Sequence, residues 1–274
     1  MAINYAEKYE KQVDEKFAEQ SKVKIVTNED YNFDGSETIN IYSIGTSELN
    51  DYDNNASSNR YGTPSNLSDK VQKEMLSQDK SFTFIIDNKQ LQGTSGAYVS
   101  GQALQRQLNE VIFPYIDTHA YSKMVAGADE GNVKIESSMT SVEDAILDGS
   151  LKLDDEEVPT EGRYLVISKK VYNALKKEMT NRLQTEMGDE LRKRGIIELF
   201  DGMPVIPVPQ KRIGTNVDFI ITHKSASVLP IKLADYFIHE NPPGVNGHLV
   251  EGRIRFDCFV LNNKKKAIYV HKNA

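Results

Sequence analysis

Two runs of alternating character, Ser36-Glu-Thr-Ile-Asn-Ile-Tyr-Ser-Ile44 and Ser81-Phe-Thr-Phe-Ile-Ile-Asp87, bracket a long insert rich in Asn, Asp, Ser and Gly. Ile39 and Ile41 alternate with Thr38, Asn40 and Tyr42, while Phe82, Phe84 and Ile86 share one face of the second run, as in two-faced strands. A structureless connection longer than about 15 residues is uncommon inside a compact domain and marks a functional or interaction segment. The two runs are therefore expected to pair as a projecting β-arm. Its tip holds Tyr52, Tyr61 and the turn-prone stretches Asp51-Tyr-Asp-Asn-Asn55 and Arg60-Tyr-Gly-Thr-Pro64. A stem of about ten residues per strand would reach roughly 33 Å. An isolated two-stranded ribbon is marginal in water, so a neighbouring copy is expected to support it.

Helical periodicity appears on both sides of this arm. Tyr5, Tyr9, Val13 and Phe17 recur every four residues and predict an amphipathic helix over Tyr5 to Ala18. After the turn at Asn32 to Gly35 and the arm, a long helix is expected from Thr94 to about Ala128. Leu104, Leu108, Val111, Ile112, Tyr115 and Ile116 make its apolar stripe, with Gln105, Arg106, Asn109 and Glu110 opposite. Pro114 removes a backbone donor and predicts a bend or break.

Beyond Lys134 short elements alternate. Thr140-Ser-Val-Glu143 predicts a capped helix closed by Gly149. Arg163 to Ser168 reads as a buried strand whose Ser168 caps a helix bearing Val171, Leu175, Met179 and Leu183. A hairpin is expected about Asp201-Gly202, then a strand over Val217 to Thr222. The tail places Val250, Ile254, Phe256, Cys258 and Val260 largely on one face, turns at Asn262-Asn263 and returns over Ala267 to His271. It is expected to pack on the long helix.

The 274 residues are 39% hydrophobic and carry a formal charge of −7. Affinity for phosphate backbones comes from clustered Lys and Arg, so this balance argues against a protein whose task is gripping nucleic acid. It permits enclosing DNA that remains free to move. No apolar run approaches the roughly 18 residues of a membrane span. The N-terminal residues lack the apolar core of a secretory signal, and one cysteine, Cys258, cannot form an internal disulfide framework.

Catalytic signals are poor. No nucleophile elbow, phosphate loop or dinucleotide fingerprint appears. His119, His223, His239, His248 and His271 never fall at helical metal-ligand spacing, and Cys258 in a strand reads as a small buried hydrophobe. Asp154-Asp-Glu-Glu157 lacks the alternating ligands of a calcium loop and reads as a solvated loop. Lys264-Lys-Lys266 reads as a charged turn that blocks edge pairing. No cofactor is expected.

The order of parts carries more than any single motif. An N-terminal arm, a long β-ribbon, one long helix, an α/β subdomain and a strand-rich tail together resemble the major capsid protein of tailed double-stranded DNA bacteriophages, a fold shared with encapsulins. Arg60-Tyr-Gly-Thr-Pro64, Gln78-Asp-Lys-Ser-Phe-Thr-Phe84, Val158-Pro-Thr-Glu-Gly-Arg-Tyr-Leu-Val-Ile-Ser168 and Gly195-Ile-Ile-Glu-Leu-Phe-Asp-Gly202 look like that family's pattern. The resemblance implies an α+β fold. Its parts would be an N-arm (1–34), an extended β-hairpin loop (35–92), a peripheral domain with the spine helix (93–133 and 228–274) and an α/β axial domain (134–227). It further implies hexamers and pentamers closing into an icosahedral shell around double-stranded DNA, without sequence-specific binding. A separate scaffolding protein and a portal protein are implied partners. The implied location is the virion, after assembly in the host bacterial cytoplasm as a procapsid that expands. Tyr52, Arg60, Tyr61, Lys80 and Arg106 are the expected inter-subunit contacts. The rival readings are an encapsulin-like cage with protein cargo, an α/β enzyme with residues 45–69 as a lid, and a decoration or tail component.

Overall fold

The computed structural model describes residues 21–28, 38–44, 49–55, 57–64, 66, 69–88, 96–182 and 197–274. The expected helix over residues 5–18 and the turn at 32–35 lie outside them. The elements begin with α1 (Val23–Val26), β1 (Thr38–Ile44), β2 (Asp69–Met75), β3 (Gln78–Asp87) and α2 (Gly96–Gln107). A π-helical segment (Leu108–Ile112) leads into α3 (Phe113–Gly127), β4 (Val133–Glu136), α4 (Val142–Asp155), β5 (Arg163–Ser168) and α5 (Lys169–Arg182). Next come β6 (Leu199–Phe200), β7 (Met203–Val208), α6 (Gln210–Ile213), β8 (Val217–His223) and β9 (Ser227–Val228). The chain ends with β10 (Ile231–Glu240), β11 (Gly247–Phe256), β12 (Phe259–Val260) and β13 (Ile268–Asn273).

The chain divides into two compact units, one of residues Phe33–Met75 and one of Met1–Asn32 with Leu76–Ala274. The smaller unit holds a two-stranded antiparallel ribbon, β1 with β2, in which Thr38 stands opposite Met75 and Ile44 opposite Asp69. This corrects the expected pairing, which gave β1 the run Ser81–Asp87 as its partner. That run belongs to β3, paired along its length with β11. The reason is energetic. Phe82 and Phe84 pack on a core containing Tyr236, Val250 and Ile254, and Ile86 is buried; each such side chain gains about 1.5–3 kcal/mol when fully buried. A ribbon in water offers them nothing comparable.

The sheet β10-β11-β3 turns at Asn241-Pro-Pro-Gly244, where Asn241 and Gly244 take the left-handed φ values of 48° and 82°. Gly252 of β11 is required by contact: a Cβ there would lie 2.3 Å from Phe82 Cε1 and 2.8 Å from Tyr236 Cδ1. The missing side chain lets two aromatic rings close over the strand.

The second sheet runs β4-β13-β8-β5-β7-β6. Here the tail departs from expectation, because β13 does not stay with the long helix alone. It sits between β4 and β8, parallel to the first and antiparallel to the second. The central strands β5 and β8 are covered on both faces and are mostly apolar and buried, whereas the edge strand β4 is not. Val166, Ile220, Ile268 and Val270 join the cluster built on Leu104, Leu108, Ile112 and Ile116 of the long helix. Leu165, Ile167, Phe219, Ile221 and Tyr269 face a second cluster under α4 and α5.

Just before Pro114 the α-helical bonding gives way to a π segment, and the helix continues with helical dihedrals rather than breaking. The Phe113 N–H reaches back to the Leu108 carbonyl, a π-type closure. Leu104, Leu108, Ile112 and Ile116 are buried, whereas Val111 and Tyr115 of the expected stripe are exposed.

Helix α4 is longer than expected. Ser141 caps it by accepting from the Asp144 N–H at 3.2 Å, and Glu178 of α5 accepts from the Val142 and Glu143 N–H groups. Gly149 does not close the helix, which continues to Asp155. It is glycine because a Cβ would stand 2.7 Å from Tyr269 Cε1. Asp154 and Asp155 therefore end a helix rather than lie in a loop. The expected Ser168 cap on α5 forms, with the Val171 N–H donating to Ser168 Oγ. The Asp201-Gly202 hairpin forms too, with both residues at positive φ.

Residues 21–28 are fastened to the larger unit. Asp117 of α3, fully buried, accepts from Ser21 Oγ and from Arg212 Nη1, each at 2.9 Å. Lys22 Nζ donates to the Pro207 carbonyl at 2.7 Å, and the Asn28 N–H to the Ser227 carbonyl at 2.8 Å.

Candidate assembly surfaces

The ribbon tip is ordered by its own short-range bonds. The Asp53 N–H donates to the Arg60 carbonyl at 3.1 Å, and the Asn55 N–H to Asp53 Oδ1 at 2.8 Å. Asn59 and Gly62 adopt φ of 55° and 88°, and the Gly62 N–H closes onto the Asn59 carbonyl. A Cβ at Gly62 would meet the Asn50 side chain at 2.6 Å, so the two limbs of the tip approach as only glycine allows.

This frame brings Tyr52 and Tyr61 together edge to face, with ring centroids 5.1 Å apart. Tyr61 stays 83% exposed. On β2, Val71 and Met75 are also exposed. Aromatic and apolar groups held in fixed positions on water-facing backbone are what an interface core uses.

Lys80 and Arg106 lie in the other unit. Lys80 Nζ stands 5.9 Å from the Tyr115 ring centroid. Arg106 Nε pairs with Glu110 Oε1 at 2.8 Å, one helical turn away and with both side chains largely exposed. No hydrogen bond or ion pair joins Lys80 to Arg106. Sequence reasoning missed Ile85 and Phe237, exposed on the outer face of the three-stranded sheet. The period-two pattern of β3 carried the signal for Ile85.

His119, Asp257 and Cys258 are occupied structurally. His119 Nε2 meets Asp257 Oδ1 at 2.8 Å, and the other carboxylate oxygen accepts from the Ser77 N–H. Burial alone would raise the Asp257 carboxyl, but the donors His119, Ser77 and Cys258 outweigh it and hold it below the usual range. Cys258 is buried, and burial with the Asp257 charge pushes its thiol far up, away from the thiolate that reacts. His271 stacks on Phe219 with centroids 5.0 Å apart. Among the described residues no group of His, Cys, Asp and Glu could hold a metal ion. No helix among them is long and apolar enough to cross a membrane.

No protein-family model matches the chain, and no curated protein matches it in sequence. Solved structures do. The capsid of the cyanophage P-SCSP1u matches with a TM-score of 0.68 at 11% identity, over 89% of this chain and 85% of that one. The mature capsid of bacteriophage PhiM1 matches with a TM-score of 0.65 at 8% identity, over 88% and 83%. A virus-like particle from Pyrococcus furiosus matches with a TM-score of 0.59 at 16% identity, over 98% and 100%. This chain has the tailed-phage capsid fold, which is α+β and spans nearly its whole length.

Proposed function

We propose that the chain is a structural major capsid protein of a tailed bacteriophage. Copies close as hexamers and pentamers into an icosahedral shell around double-stranded DNA, and the work is assembly rather than catalysis. The observation that carries this reading is the ribbon. It is two-stranded and forms a unit of its own, yet it presents Tyr61, Val71 and Met75 to water on a capsid-type fold. Such a ribbon gains its stability when it lies across a neighbouring copy.

In this reading residues 1–34 are an arm, 35–92 the extended loop, 93–133 and 228–274 the peripheral domain, and 134–227 the axial domain. Tyr52, Arg60, Tyr61, Lys80 and Arg106 are contacts between copies. A single exposed ion pair contributes about 0–1 kcal/mol, so pairs made by Arg60 or Lys80 alone cannot hold a shell. Many modest contacts can, because closure makes the later ones intramolecular. A separate scaffolding protein and a portal complete assembly in the host cytoplasm, and the acidic chain leaves packaged DNA mobile.

The test is negative-stain microscopy of the purified protein, with and without a scaffolding candidate, followed by analysis of what the particles hold. Closed shells that package DNA support the proposal; a stable monomer at high concentration refutes it. A cage with protein cargo is the second reading. It is favoured by the end-to-end match to the Pyrococcus particle and is distinguished by protein rather than DNA inside.

A further inference from the structure

The outward faces of α4 and α5 carry opposite charge. On α4, Asp144, Leu147, Asp148, Leu151 and Asp155 recur every three or four residues on the exposed side. Leu147 and Leu151, one turn apart, are 41% and 60% exposed. Lys152 is the one basic residue of that helix. On α5 the exposed side is built from Lys169, Lys170, Asn173 and Lys177. Its one acidic residue, Glu178, is spent inside the subunit on the α4 N–H groups. Helices α4 and α5 pack against each other within the subunit; α4 also packs on β13, next to the β4 edge, and α5 on β8, β5 and β7, toward the β6 edge. Among the described residues, Asp155, Lys170 and Lys177 take part in no ion pair.

We propose that the acidic, leucine-bearing face of α4 docks on the basic face of α5 in a second copy of this chain. The inference rests on the shell reading and names the surfaces that join adjacent copies. The contact uses a different patch on each partner, so it repeats head to tail and closes into rings when the rotation permits. Lysine suits both halves of the patch. Its methylene stem covers the leucines while its ammonium reaches the aspartates. Charge complementarity of this kind fixes register more than it adds strength.

Two paired substitutions test it. Asp148→Lys with Asp155→Lys makes the α4 face basic, and Lys170→Glu with Lys177→Glu makes the α5 face acidic. Asp155 ends α4 and Lys170 lies in the first turn of α5, so both new charges there agree with the helix dipole. Circular dichroism checks that each variant is folded. Full-length wild type, each variant alone and the two co-expressed are compared by sedimentation velocity and negative-stain microscopy. Each variant alone is expected to lose about tenfold or more of the assembled fraction, since like charges across a contact are strongly penalised. Co-expression is expected to restore it, because basic α4 faces then meet acidic α5 faces. Folded variants that assemble like wild type overturn the inference and leave the shell reading intact. Variants that fail together as they fail alone also overturn it. So does unchanged assembly with loss of a co-sedimenting scaffold, which would give the face to that partner. Wild-type protein that never assembles overturns the shell reading itself, and the inference with it.

Discussion

Ser21 and Asp117 are joined by a 2.9 Å hydrogen bond across 96 positions of sequence. The bond matters because Asp117 is fully buried on the long helix and also holds Arg212. Burial dominates its titration and raises its carboxyl above the ordinary value of 3.8, against the opposing pull of Ser21, Arg212 and the Val23 N–H.

The sign of the pH effect follows. A carboxyl raised in the folded state binds its proton more tightly there than in the unfolded chain, so its contribution is largest at low pH. That contribution is lost as pH rises from 3.8 through the raised folded value. Asp117→Asn removes the titration. The stability of wild type relative to this variant should therefore decline as pH rises through that window, as read by urea unfolding at a series of pH values. A relative stability that climbs with pH would contradict it.

Arg163 and Asp154 predict an asymmetry. Arg163 is 2% exposed at its side chain and Asp154 50%, with 2.6 Å between Nη2 and Oδ1. The same guanidinium donates to the carbonyls of Pro159, Ser150 and Val158, pinning the connection between α4 and β5. Arg163→Ala removes every one of these donors and should cost about 3 kcal/mol. Asp154→Asn keeps an acceptor at a half-exposed site and should cost about 1 kcal/mol or less. Denaturant midpoints of the two variants check the order.

Gly149 sets helix propensity against packing. Alanine would gain about 1 kcal/mol in a helix interior. Its Cβ, however, would stand 2.7 Å from Tyr269 Cε1 and 2.9 Å from Ile221 Cδ1, and overpacking costs about 1–3 kcal/mol. Gly149→Ala should be net destabilising. Ile221→Val should cost less in that background than in wild type, because it removes one of the clashing atoms. Thermal unfolding of the four proteins in the cycle reads the coupling.

The order of parts made the capsid-type fold legible in the sequence; beyond that, what was legible was local. Ser168, through its hydroxyl, and the Asp201-Gly202 turn, through its backbone, act where expected, and the π segment lies next to Pro114. Gly149 misled because a glycine forced by Tyr269, 120 residues away, looks in one dimension like a helix stop. The ribbon's return strand was missed for a different reason. Asp69-Lys-Val-Gln-Lys-Glu-Met75 is too polar to advertise a strand, since no core of its own unit selects its residues. The more apolar β3 stood nearby and took its place. The seat of β13 was likewise invisible, because a strand apolar on both faces says that it is central, not which sheet holds it. At the tip, Tyr52, Arg60 and Tyr61 could be singled out by composition. The Asn50–Gly62 approach that positions them is a property of folded backbone.

The central claim is that copies of this chain hold one another through the ribbon, and removal of its tip tests that most directly. In sedimentation velocity, protein lacking residues 50–66 should keep its circular dichroism and run as small folded species, while the full-length chain runs as large particles. Normal particles from the truncated ribbon would contradict the account.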